Sequence, residues 1–69
     1  MITLNGKQES ENFATVTELL EKRGYRREII VVEINGIIIK KEDYDTTAIK
    51  DGDTIEIVHF MGGGSVAFR

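Results

Sequence analysis

Apolar and polar side chains alternate at the start of the chain, where Ile2 and Leu4 are interleaved with Met1 and Thr3. A period of two belongs to a strand with one buried face. Asn5-Gly6 follows, a dipeptide that tolerates the positive φ of a two-residue hairpin, and a polar strand running to about Glu11 completes the pair. The period then changes. Val16, Leu19, Leu20 and the aliphatic stem of Arg23 recur at three-and-four spacing, which predicts a short helix with one apolar stripe. Thr15-Val16-Thr17-Glu18 marks its start as a capping box, with the threonine oxygen accepting from the amide near Glu18 and the glutamate reaching back. Gly24 suits the left-handed position at its end.

From Ile29 the pattern returns to strands. Ile29-Ile30-Val31-Val32 with Glu33-Ile34, and then Ile37-Ile38-Ile39, flank Asn35-Gly36 at hairpin separation. β-Branching throughout makes helix the weaker reading there. Lys40 to Lys50 is polar around Tyr44, Ala48 and Ile49, an irregular crossing or a short 3₁₀ turn pinned by one or two apolar side chains. Asp51-Gly52-Asp53 turns the chain into a last strand, Thr54 to Phe60. On it Ile55 and Ile57 share the core face, while Glu56, Val58 and Phe60 share the other. A helix between two hairpins, closed by a final strand, suits an α+β fold in which a mixed sheet packs on one helix, the β-grasp arrangement. Other small α+β folds share this element order. The expected division is a folded domain over 1–61 and a flexible tail over 62–69.

Composition narrows the chemistry. Sixty-nine residues, 41% hydrophobic, fit one core. There is no cysteine, which removes disulfides, thiolate metal sites and thiol nucleophiles, so any sulfur chemistry needs sulfur from a partner. A formal charge of -3 argues against binding a nucleic-acid backbone or an anionic membrane. The first residues, Met1 to Lys7, are strand-like, and no long apolar run occurs, so a soluble cytoplasmic protein is expected. His59 is the sole histidine and has no cysteine, histidine or paired carboxylate at ligand spacing, which favours a structural role and no metal. Glu42, Asp43, Asp45, Asp51 and Asp53 lack the spacing of a calcium loop and suit a solvated face with turn-stabilising aspartates. Arg26-Arg27, interspersed with Glu21 and Glu28, fit an ordinary solvated helix end better than a dock for an acidic partner. No nucleophile and base pair is evident, and Gly62-Gly63-Gly64-Ser65 lacks the lysine and following helix of a phosphate loop, so no enzyme is expected.

Several segments, in order, carry a resemblance. Leu4-Asn5-Gly6-Lys7, Thr17-Glu18-Leu19-Leu20, Val32-Glu33-Ile34-Asn35-Gly36, Lys50-Asp51-Gly52-Asp53 and Glu56-Ile57-Val58-His59-Phe60-Met61-Gly62-Gly63-Gly64 together resemble the ubiquitin-like β-grasp sulfur carriers, most closely the ThiS branch of thiamine biosynthesis. The similarity runs from Met1 to Gly64. It implies that the terminal glycine carboxylate is adenylated with ATP by a ThiF-like activating enzyme. The acyl-adenylate is then converted to a thiocarboxylate with sulfur from a sulfur-donating enzyme, and the sulfur is delivered to a ThiG-like thiazole synthase. No permanently bound cofactor is implied. The acceptor falls on Gly63 or Gly64, with Gly62 passing through a partner's narrow channel, since a missing Cβ allows close approach. Adenylation makes chemical sense because a carboxylate is a poor electrophile until it gains a leaving group.

Val58 and Phe60 on the outer face of the last strand, with Val31 beside Glu33 if it shares that face, would form an exposed apolar patch for partner docking. The chain departs from the family pattern by continuing Ser65-Val66-Ala67-Phe68-Arg69, which locks the glycine carboxyl in a peptide bond. A precursor tail, appended residues or a relative without carrier activity each account for this. Delivery to molybdopterin or to tRNA thiolation shares the same fold and tail. A different class is a β-grasp interaction module whose glycines link to a short binding peptide, Val66-Ala67-Phe68.

Overall fold

A computed structural model of the chain describes residues 1–60 and 66–67, of which Phe60, Val66 and Ala67 are described through their backbone. The elements are strands β1 (Ile2–Leu4) and β2 (Lys7–Glu9), helix α1 (Val16–Arg23), and strands β3 (Ile30–Ile34), β4 (Ile37–Ile39), β5 (Thr54–Phe60) and β6 (Val66–Ala67). They form one mixed sheet in the order β2-β1-β5-β3-β4, with β6 also on β5. The last long strand therefore lies in the middle. It runs parallel to β1, pairing Thr3 with Thr54 and Leu4 with Ile55, and antiparallel to β3 from Ile30↔His59 to Ile34↔Ile55. This is the expected mixed sheet on one helix.

Both hairpins turn where Asn-Gly predicts, and Asn5 and Asn35 hold left-handed φ values of 50° and 53°. The second strand ends at Glu9 and not near Glu11. Phe13 accounts for the early exit, because it leaves the edge of the sheet to enter the core, where it is 4% exposed. Arg23 spans the gap that results, lying over the Phe13 ring at 5.5 Å and pairing with Glu9 and Glu11. Ile29 also departs from expectation. It closes a 3₁₀ turn, Arg27–Ile29, in which its N–H donates to the Arg26 carbonyl at 3.1 Å, and its side chain is exposed.

The helix forms for the reasons its sequence suggests. Thr15 caps it by accepting from the Glu18 amide at 3.2 Å, and the Glu18 carboxylate reaches back to the Ala14 N–H. Two further amides at that end donate to carbonyls of the crossing segment, Val16 to Thr47 and Thr17 to Tyr44. Gly24, at φ 76°, ends the helix, and its N–H donates back to Glu21. The buried stripe Val16, Leu19 and Leu20 packs on Ile2, Leu4, Ile30, Val32, Ile34, Ile55 and Ile57. Each such side chain is worth roughly 1.5–3 kcal/mol on leaving water, so this one face supplies most of what a chain of this size can gather.

The crossing contains a 3₁₀ turn, Lys41–Asp43, and is anchored by Tyr44, which is 1% exposed. Burial raises the Tyr44 phenol pKa, against smaller opposing effects from a Val32 backbone hydrogen bond and Arg27. Ile49 packs against the core, and Ala48 bridges to Thr15. Among the described residues, no helix is long and apolar enough to cross a membrane.

Candidate functional site

The expected site is the end of β5, its outer face and the glycines that follow. Alternation along β5 buries Ile55 and Ile57 against the helix, and the pairing carries the same alternation to β3, whose Ile30, Val32 and Ile34 face the core. Val31 and Glu33 of β3 therefore lie on the opposite face. There Val31 sits directly across from Val58, and Glu33 directly across from Glu56. A Val–Val pair next to the end of the strand is followed, one step back, by two carboxylates side by side, an arrangement that costs stability where it is not matched by a partner.

Exposure on this face differs from the sequence expectation. Val31 is half-buried and Val58 only 8% exposed, because Val58 lies on the middle strand with Val31 packed beside it. The apolar side chain that stands out is Ile38, 64% exposed and paired with Glu33 on the other side. It extends the Val58–Val31 face toward the β4 edge and was missing from the sequence-derived set. The signal was available: a two-residue Asn35-Gly36 turn fixes Ile34 opposite Ile37, hence Glu33 opposite Ile38. The side chain of Phe60, and all of Gly62, Gly63 and Gly64, lie outside the described residues. Within the span expected to be a flexible tail, Val66–Ala67 form β6, antiparallel to the end of β5.

Two asparagines hold β5 in place from either side. Asn5 donates its backbone N–H to the Ile55 carbonyl at 2.9 Å, and its Oδ1 accepts from the Ile57 N–H at 2.7 Å. On the other flank Asn35 donates its N–H to the Thr54 carbonyl at 2.8 Å, and its Oδ1 accepts from the Thr54 N–H at 2.9 Å. Its amide Nδ2 also donates to Asp53, whose other oxygen accepts from the Lys50 N–H. Each Asn-Gly turn thus does more than reverse the chain, since its side chain extends the ladder of the strand that leads to the glycines. Sequence reading gave these residues only their turn role.

Several charged groups are engaged in the fold. Arg27 lies over the Tyr44 ring at 5.4 Å and reaches Asp45 and Thr17. The Asp45 carboxyl is held below its ordinary range, first by the Thr17 hydroxyl and then by Arg27. Asp51 pairs with the amino terminus. His59, on the helix side of β5, stacks at a tilt on Tyr25 with ring centres 5.6 Å apart. Among the described residues no group of three or more His, Cys, Asp or Glu is placed to hold a metal ion.

Comparison with known proteins agrees with this architecture. The model of the ThiS family matches residues 1–64. The sulfur carrier protein ThiS of Bacillus subtilis (strain 168) is 42% identical over 66 residues, covering 93% of this chain and 100% of that protein. A thiazole synthase of Paramagnetospirillum magneticum is 42% identical over 67 residues, 93% of this chain but only 20% of that much longer protein. The crystal structure of ThiS from Geobacter metallireducens superposes with a TM-score of 0.75 at 40% identity, covering 91% of this chain and 97% of that one. A central β5 followed in sequence by three glycines, on a β-grasp sheet matched along nearly its whole length, leaves one conclusion: the chain belongs to the ThiS family, the small non-enzymatic sulfur carriers of thiamine biosynthesis.

Proposed function

We propose that the chain carries sulfur as a thiocarboxylate on Gly63 or Gly64 and delivers it to a ThiG-like thiazole synthase. A ThiF-like enzyme joins the glycine carboxylate to AMP from ATP, releasing pyrophosphate, and sulfide-level sulfur from a donating enzyme attacks the acyl carbon and displaces the AMP. The single observation that supports this reading is the placement of β5. The strand preceding the glycines is the best-secured element of the sheet, paired on both sides and bracketed by Asn5 and Asn35, so it offers a rigid handle for a reactive end. The occurrence of a similar segment within a thiazole synthase five times as long supports that enzyme as the acceptor.

Docking runs through the outer face, with Val31 and Ile38 accessible around a largely buried Val58, Phe60 next along β5, and Gly62 as the residue that passes the channel. The chain as written ends beyond Gly64, and an amide carbonyl offers no carboxylate to adenylate. Hydrolysis after Gly63 or Gly64 is therefore required first, with water giving its hydroxyl to the glycine carbonyl and a proton to the released amine. The test is to incubate the 69-residue chain and forms ending at Gly63 and Gly64 with activating enzyme, ATP and sulfur donor. Intact-mass spectrometry should show oxygen replaced by sulfur only in a glycine-terminated form. Sulfur loading of the uncut chain would overturn the requirement for trimming.

A further inference from the structure

The edge of β5 that faces β1 is only partly used by β1. Their pairing stops at Ile55, and the next odd-numbered amide, that of Ile57, is taken by the Asn5 side chain. Peptide groups alternate along a strand. Since the Ile55 carbonyl and the Ile57 N–H both point to this edge, the N–H and carbonyl of His59 point there as well. Past the reach of the β1–β2 hairpin they would be left as an open edge. Ala67 lies directly opposite His59, and Val66 opposite Phe60. By the same alternation, His59 and Ala67 are the pair that exchanges hydrogen bonds, while the N–H of Val66 points away from β5.

We propose that Val66–Ala67 act as an intramolecular latch, closing the free end of the β5 edge by pairing with it. β6 runs antiparallel to the end of β5, and the glycines lie between the two strands in sequence. An enzyme that accepts the glycine segment in extended form must first separate β6 from β5. The inference rests on the reading of Gly63 or Gly64 as the sulfur acceptor for its biological meaning, but the contact itself stands on the strand register alone.

Amide hydrogen exchange followed by NMR tests it on the 69-residue chain, the form ending at Gly64, and two proline variants of the full chain. The His59 amide should exchange roughly tenfold faster in the Gly64-ended form, which lacks the Ala67 carbonyl that accepts from it, and in Ala67→Pro, where loss of the reciprocal Ala67 N–H and the bulk of the proline ring separate the pair. Val66→Pro, at an outward-facing position, should keep most of the protection. The Ile57 amide, bonded to Asn5, reports that every form remains folded. A broad-specificity protease should also cleave within residues 61–65 several-fold faster in Ala67→Pro than in Val66→Pro. Equal His59 exchange in the full and shortened chains, or equal cleavage of the two proline variants, overturns the latch. Failure of both the Gly63-ended and the Gly64-ended chains to accept sulfur would instead overturn the carrier reading and leave the exchange result standing.

Discussion

At the scale of single residues, the two asparagines illustrate how one side chain serves two demands. Asn5 must hold a positive φ and also satisfy the Ile57 amide, two requirements that different substitutions separate. Asn5→Gly keeps the backbone easy but loses the acceptor, and is expected to cost about 1–3 kcal/mol, while Asn5→Ala adds the strain of a left-handed residue for about 2–4 kcal/mol. Urea unfolding of the two variants measures the difference, and equal stabilities would show that the φ requirement is relaxed by local movement. Glu9 offers a second test. Its hydrogen bond from Arg23 lowers its pKa, so its contribution is present above the ordinary glutamate range and is lost as pH falls through the lowered folded value. Glu9→Gln should therefore flatten the decline in denaturation midpoint from about pH 5 downward, with little change at neutral pH where the exposed pair contributes modestly.

At the scale of elements, the helix is the part most completely written in the sequence. Its stripe, its threonine cap and its terminal glycine are all local signals, and each is realised. The glycine is needed for its backbone alone: at φ 76° a Cβ would meet no atom within 4 Å. Gly24→Ala is accordingly expected to lower stability by about 1 kcal/mol, and Gly24→Asn by less, in a thermal or urea melt. The strands were legible through alternation and turn residues, but their boundaries were not where tertiary demands intervened. Phe13 pulls the chain away from β2, and the turn at Arg27–Ile29 takes Ile29 out of β3, since an unbroken apolar run looks the same whether or not its first member is paired. The outer face was only half legible. Alternation assigns Val58 to it, yet burial of Val58 depends on lying in the middle of the sheet, and exposure of Ile38 depends on lying at the edge. Neither follows from period alone.

At the scale of the whole molecule, the sheet has two unlike surfaces, one sealed by the helix and one carrying valines, Ile38 and the Glu33–Glu56 pair. If docking uses that second surface, Val31→Asp should weaken binding of thiazole synthase by about tenfold or more in a calorimetric titration. Because Val31 also packs beside Val58, the melting temperature measured alongside separates lost docking from lost folding, and unchanged affinity would place the interface elsewhere. The sheet order has one further consequence, for synthesis. The middle strand is the last long one to be made, and its parallel neighbour is the first, with the Gly52 amide donating to the carbonyl of Met1 itself. A nascent chain lacking Thr54 to Phe60 has two hairpins that only the helix face can bring together, with no strand pairing between them, so closure of the sheet waits for the last long strand. Products that stop before Thr54 therefore expose both flanks of an unfilled sheet, Leu4 on one side and Val32 on the other, and are expected to be aggregation-prone and quickly degraded.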